Sequence, residues 1–91
     1  MKSLVIVDLT PLNKTLLAEY STLAAETLKT FGAQFIAKGP IETLHGEAAH
    51  TIKAVIEFAD KESAKTWYNS EAYQTITELR DQGMDSQFHL L

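Results

Sequence analysis

The chain has no cysteine. That removes disulfides, thiolate metal ligands and a cysteine nucleophile together. It also lacks long apolar runs. The one at the start, Leu4-Val5-Ile6-Val7, is broken after four residues by Asp8. A signal peptide needs an apolar core of ~7–15 residues, and a membrane span needs ~20. The expected location is cytoplasmic, with no membrane partner. A basic cluster is missing too. Eight Lys and Arg stand against twelve Asp and Glu, for a net charge of −4, and the basic residues are scattered. A nucleic-acid binder normally carries a basic stripe, so no nucleic-acid partner is expected. Glycine-rich phosphate loops, a Ser-His-Asp order, internal repeats, low-complexity tracts and linkers are absent as well.

What is present is an ordinary globular composition, 45% hydrophobic and 22% charged, which argues against disorder. Ninety-one residues fit one domain over 1–91. A chain this short buries roughly 60–65% of its unfolded surface, so its stability alone is modest. With disulfides excluded, association is the natural supplement.

Residues 3–10 read as a strand rich in Leu, Val and Ile. Both of its faces are mostly apolar, which suggests cover on both sides. Thr10-Pro11 reads as the start of a helix, with Thr as cap and Pro in the first turn. Leu16, Leu17, Tyr20, Leu23, Ala24, Thr27, Leu28 and Phe31 then recur every three or four residues, an amphipathic stripe. Gly32 supplies a left-handed stop. A second strand is expected over about 33–44. Gly39-Pro40 interrupts it, a sign of a bulge or an edge strand. Residues 45–50 read as a loop and 51–59 as a third strand. Asp60 suits the N-cap of a helix carrying Ala64, Trp67 and Tyr68. Asn69-Ser70 looks like a break, and Ser70 can cap a further stretch with Tyr73, Ile76, Leu79 and Arg80. Gly83 ends it, and a last strand covers about 85–90.

The order is β-α-β-β-α-β. Right-handed crossovers put both helices on one face of the sheet. The other face then has no cover within the chain, although apolar side chains such as Leu4, Ile6 and Val55 point to one face or the other. Each such side chain left bare forgoes about 1.5–3 kcal/mol relative to full burial. The same face of a second copy is the simplest cover, so a homodimer is expected.

Several groups of residues resemble the domain-of-unknown-function 1330 family. They are Val5-Ile6-Val7-Asp8 before the Pro11 helix with Tyr20; Phe31-Gly32 with Phe35; Lys38-Gly39; His45-Gly46; Val55-Ile56-Glu57-Phe58; Ala64 with Trp67-Tyr68; Ser70 with Tyr73; and Arg80 followed by Ser86. The resemblance spans essentially the whole chain. It implies an α+β, ferredoxin-like fold with a four-stranded antiparallel sheet, two such sheets packing as a dimeric α/β barrel. It implies no particular reaction, because barrels of this group include monooxygenases, isomerases and pure binding modules. Thr10 departs from the family pattern, in which an Asp before the Pro is more typical. His45 departs too, standing where an acid is expected.

Asp8 and Glu57 are the candidate catalytic pair. Each interrupts an apolar strand near its C-terminal end, and the first and third strands are expected to be parallel neighbours, which would bring the two carboxylates close. Close carboxylates raise one another's pKa and suit proton transfer; pairing with basic neighbours is the plainer reading. Arg80 is a candidate for binding a substrate carboxylate, or for an ion pair to Glu57 or Asp8. Trp67, Tyr68 and Tyr73 are candidate pocket aromatics, with core packing as the alternative, and Tyr20 reads mostly as core, with its hydroxyl near a rim. His45, Glu47 and His50 lie in a loop read as solvated, so no metal and no cofactor are expected. His89 reads as surface. Lys38 and Lys53 read as a solvated face, with a contact to a substrate anion as the other option.

These readings converge on a homodimer binding a small molecule between helices and sheet. One alternative is a cofactor-free enzyme, isomerase or monooxygenase-like, acting on a small carbonyl or phenolic compound through a carboxylate acid/base. Another is a structural dimer without ligand. A monooxygenase usually positions a histidine, and the stretch from Tyr73 to Arg80 offers none.

Overall fold

Burial alternates along β1 (Ser3–Pro11), and that alternation organises the molecule in the computed structural model, which describes residues 1–91. Ser3, Val5, Val7 and Leu9 are buried, while Leu4, Ile6, Asp8 and Thr10 are half-buried. A strand turns successive side chains to opposite faces. One face of the sheet is therefore closed by helices and the other is open.

The elements after β1 are α1 (Lys14–Thr30), β2 (Gln34–Pro40), β3 (Ile52–Phe58), α2 (Lys61–Asn69), α3 (Glu71–Gln74), α4 (Thr77–Gly83) and β4 (Met84–Leu90). The sheet order is β2-β3-β1-β4, and every neighbouring pair is antiparallel. This corrects the expectation that β1 and β3 are parallel neighbours. Each crossover through a helix skips one position in the sheet. The parallel strands are thus β1 with β2, and β3 with β4, each pair separated by an antiparallel strand.

Two boundaries also differ. The strand runs on through Pro11, which stands opposite Met84, so Thr10 does not cap α1. Asn13 does, its side chain accepting from the Leu16 amide at 3.0 Å. β2 stops at Pro40 instead of reaching 44, and its irregularity falls between Phe35 and Ala37, not at Gly39-Pro40. The edge position is as anticipated. Gly32 stops α1 with φ 65°. The Ala33 amide bonds to Leu28 O at 3.1 Å and the Gly32 amide to Lys29 O at 3.2 Å, which together satisfy two orphan carbonyls.

Asp60 caps α2 by accepting from the Ser63 amide at 2.7 Å, a bond that holds its carboxyl below the usual range. At the break, the Ser70 hydroxyl donates to Trp67 O at 2.6 Å and accepts from the Tyr73 amide at 3.2 Å. Gly83 ends α4 for a reason other than a left-handed turn. A Cβ there would stand 2.9 Å from the Leu17 amide nitrogen, and the Gly83 carbonyl accepts from the Leu12 and Asn13 amides. Glycine lets the α4–β4 junction touch the start of α1.

The core joins the closed face of the sheet to the helices. Trp67, Tyr73 and Phe58 are its largest fully buried side chains. The ring centres of Trp67 and Tyr73 are 4.3 Å apart and those of Phe58 and Trp67 5.4 Å. No helix is long and apolar enough to cross a membrane.

Candidate functional site: a pocket between α1 and the sheet

A pocket of about 170 Å³ lies between α1 and the closed face. Thirteen of its fifteen lining residues are hydrophobic. Val7, Leu9, Ala54 and Ile56 form its floor, Ala24 and Leu28 of α1 its roof, and Trp67 its wall. Phe35 and Lys38 of β2 also line it; both are exposed and form its rim. An apolar cavity of ~150 Å³ holds one benzene ring, so this pocket has room for a single ring or a short chain. It contains no carboxylate and no imidazole.

Lys38 reaches this rim because of the β2 bulge. Phe35 stands opposite Ile56 on the closed face. Strict alternation would send Ala37 to the same face and Lys38 to the other. The register shift reverses that: Ala37 stands opposite Val55 and Lys38 opposite Ala54. One extra residue in a strand re-aims every side chain beyond it. Lys53, by contrast, falls on the open face beside Asp8.

Behind the wall, Trp67 Nε1 donates to Thr27 Oγ1 at 2.9 Å, and that hydroxyl donates to Ala24 O at 2.7 Å. This fixes the indole against α1. The Tyr20 ring lines the pocket, while its hydroxyl bonds to that of Tyr73 at 2.8 Å. Arg80 donates to Tyr68 Oη at 3.0 Å and to Tyr73 Oη at 3.4 Å, and its Nε to Asp81 at 2.9 Å. Its guanidinium also lies over the Phe88 ring, 5.3 Å from the centre.

Burial pushes the Tyr20 hydroxyl far above the usual phenol range, and the Tyr73 neighbour adds to this. Burial likewise raises Tyr73, against the bonds from Tyr20 and Arg80. At Arg80, burial works against the charge, but the bonds to Asp81, Tyr73 and Tyr68 outweigh it and the pKa moves up. Both phenols are neutral and the guanidinium charged at ordinary pH.

The sequence candidates thus divide. Trp67 lines the pocket. Tyr73 backs it without lining it, and Tyr68 and Arg80 join the network behind. Asp8 and Glu57 are not brought together. Asp8 stands opposite Lys53 and Glu57 opposite Leu4, four residues apart along the pair, or ~13 Å. Both lie on the open face. Asp8 is 3.2 Å from Lys53 Nζ, and Glu57 is 2.9 Å from Lys2 Nζ. Arg80 pairs with neither. His45 is exposed, but His50 is buried rather than solvated, its Nδ1 2.8 Å from Thr10 Oγ1. The departure from the family pattern at Thr10 therefore has a partner in the fold. No three His, Asp or Glu side chains cluster as metal ligands would. Ser21, Met84 and Phe88 also line the pocket without having been singled out in the sequence. The periodicity around them reads as ordinary helix and strand.

Residues 2–91 match the sequence family described as Domain of unknown function (DUF1330). The chain belongs to that family. No curated protein matches its sequence. Among solved structures, the DUF1330 chain is similar to RPA0582, a protein of unknown function from Rhodopseudomonas palustris. The TM-score is 0.78 at 13% identity, covering 99% of this chain and 80% of that one. A dimeric ferredoxin-like protein of unknown function from Jannaschia sp. CCS1 gives 0.76 at 13% identity, covering 100% and 98%. SnoaB, a cofactor-independent oxygenase from Streptomyces nogalater, gives 0.63 at 11%, covering 99% and 90%. At such identities these likenesses establish the ferredoxin-like fold alone.

Proposed function

We propose that this DUF1330 protein is a homodimer that takes up a small, mainly apolar molecule in the pocket between α1 and the sheet. The observation that carries the reading is the pocket itself, open at the β2 edge and walled by a tethered indole. Small-ligand sites are typically concave and mainly apolar, with a few polar groups. In this reading Trp67 touches the ligand, while Tyr73, Tyr68 and Arg80 are positioning residues that hold the wall.

The dimer follows from the open face. Leu4, Ile6 and Val55 are half-buried there, and the Asp8–Lys53 and Lys2–Glu57 pairs flank them. A second copy of that face buries the apolar strip and sets the charged pairs at its margin. The Jannaschia relative, described as dimeric, supports this. The enzyme reading through Asp8 and Glu57 has less support, since neither carboxylate lines the pocket.

Titration with benzene-sized neutral probes, followed by amide chemical shifts, tests the pocket. Shifts gathered on Ala24, Ala54 and Trp67 are expected. Saturable binding that leaves those amides unmoved overturns the reading. Sedimentation tests the assembly, and a monomer at micromolar concentration overturns that part.

A further inference from the structure

We infer that the ligand class is a monoanionic carboxylate on one aromatic ring or a short alkyl chain, its head group held by Lys38 at the rim and its tail buried against Trp67. The inference rests on the pocket reading above and gives it a chemistry. Lys38 is the one charged side chain among the lining residues. Lys38, like Lys14, Lys61 and Lys65, takes part in none of the chain's ion pairs, and of these four it alone lines the pocket. Its ammonium lies over Phe35, 5.2 Å from the ring centre, which keeps it at the mouth. The bulge between Phe35 and Ala37 is what turns it there, and bulges that re-aim a side chain recur beside binding sites.

The lining also sets the charge of the guest. One ammonium and the Ser21 hydroxyl offer a single cation and one further donor. That matches one carboxylate. A phosphate dianion calls for several donors or cations, which the rim does not carry. The volume of about 170 Å³ limits the tail to roughly one ring.

Benzoate and benzamide, matched in shape and different in charge, separate the possibilities when titrated calorimetrically into the wild-type protein, Lys38→Met and Lys38→Arg. Lys38 is exposed on an edge strand, so these variants are expected to fold, which circular dichroism checks. The expected result is that benzoate binds the wild type roughly tenfold or more tightly than benzamide. Lys38→Met should bring the two together and Lys38→Arg should retain the preference. Equal binding of the two compounds to the wild type, or a benzoate preference that survives Lys38→Met, overturns the carboxylate inference while leaving the pocket reading intact. Failure of both to bind, or binding that an Ala24→Phe obstruction does not weaken, overturns both.

Discussion

The hydroxyls of Tyr20 and Tyr73 meet at 2.8 Å, a direct bond that joins the long first helix to the short α3. Their rings meet edge to face, 6.4 Å between centres. Arg80 approaches the same Tyr73 oxygen from α4. One buried phenol therefore gathers three helices behind the pocket wall.

Removing that phenol should be felt. Tyr73→Phe leaves the Tyr20 hydroxyl buried without its partner and takes one acceptor from Arg80. The expected loss is about 1–3 kcal/mol, read as a lower urea midpoint at unchanged slope. Tyr20→Phe should cost less, because Tyr73 keeps its bond from Arg80. Equal stability of Tyr73→Phe and wild type would mean that the network does not support the wall.

The same pair sets an alkaline limit. Tyr20 and Tyr73 have raised pKa values in the folded state, chiefly through burial. An unfolded tyrosine ionises near pH ~10. Above that pH the unfolded chain loses phenolic protons that the folded chain keeps, so stability falls as pH rises. Below it the contribution is complete. Melting curves should show a steady fall above about pH 10, shallower in Tyr20→Phe than in wild type. A flat profile from pH 9 to 11 would contradict the burial of these phenols.

Two glycines should respond to alanine for different reasons. Gly83→Ala forces a Cβ to within 2.9 Å of the Leu17 backbone, and backbone cannot move aside as a flexible side chain does. Overpacking of this kind typically costs about 1–3 kcal/mol. At Gly32 a Cβ meets nothing within 4 Å, but φ is 65°, so the cost is conformational, about 1–2 kcal/mol. Thermal unfolding of both variants checks this. A stable Gly83→Ala would show that α1 and α4 separate more easily than the packing implies.

The open face predicts concentration-dependent stability. If a second copy covers Leu4, Ile6 and Val55, the melting temperature rises with protein concentration. Ile6→Glu places a charge in the middle of that strip and should yield a monomer whose melting temperature no longer depends on concentration. A wild-type melting temperature independent of concentration counts against the dimer.

Pocket binding should be insensitive to the open-face carboxylates. Asp8→Asn and Glu57→Gln remove charges from the far side of the sheet, where distant sites sharing no partner act independently. Calorimetry with benzoate should give wild-type affinity for both variants, against the marked loss expected for Lys38→Met. A large loss in Asp8→Asn would bring that carboxylate back into the functional site.

Much of this architecture is legible residue by residue. Local chemistry determines helix ends: Gly32 stops α1, Asp60 starts α2, and Ser70 both ends α2 and caps α3. Hydrophobic periodicity determines the order of elements, and the two-sided apolar pattern of β1 announces cover on both faces without saying which one the helices take. That one of the two apolar strips needs a second cover follows from the same alternation; that it is Leu4, Ile6 and Val55 follows from the pairing with β3. Apart from that choice of strip, these features depend on residues a few positions apart, so a linear reading contains the forces that make them.

Strand direction, register and phase depend on partners far away in the chain. The antiparallel pairing of β1 with β3 sets Asp8 against Lys53 and separates it from Glu57. The Thr10–His50 bond turns an expected cap into a tie between distant segments. The bulge near Ile36 has no signature in its own residues, because it exists only as a mismatch against β3. Yet it sends Lys38 to the pocket. The residues that make up the chain determined that α1 and the strands present apolar faces to one another; only tertiary packing and long-range pairing decided that a space remains between them and which charged group stands at its door.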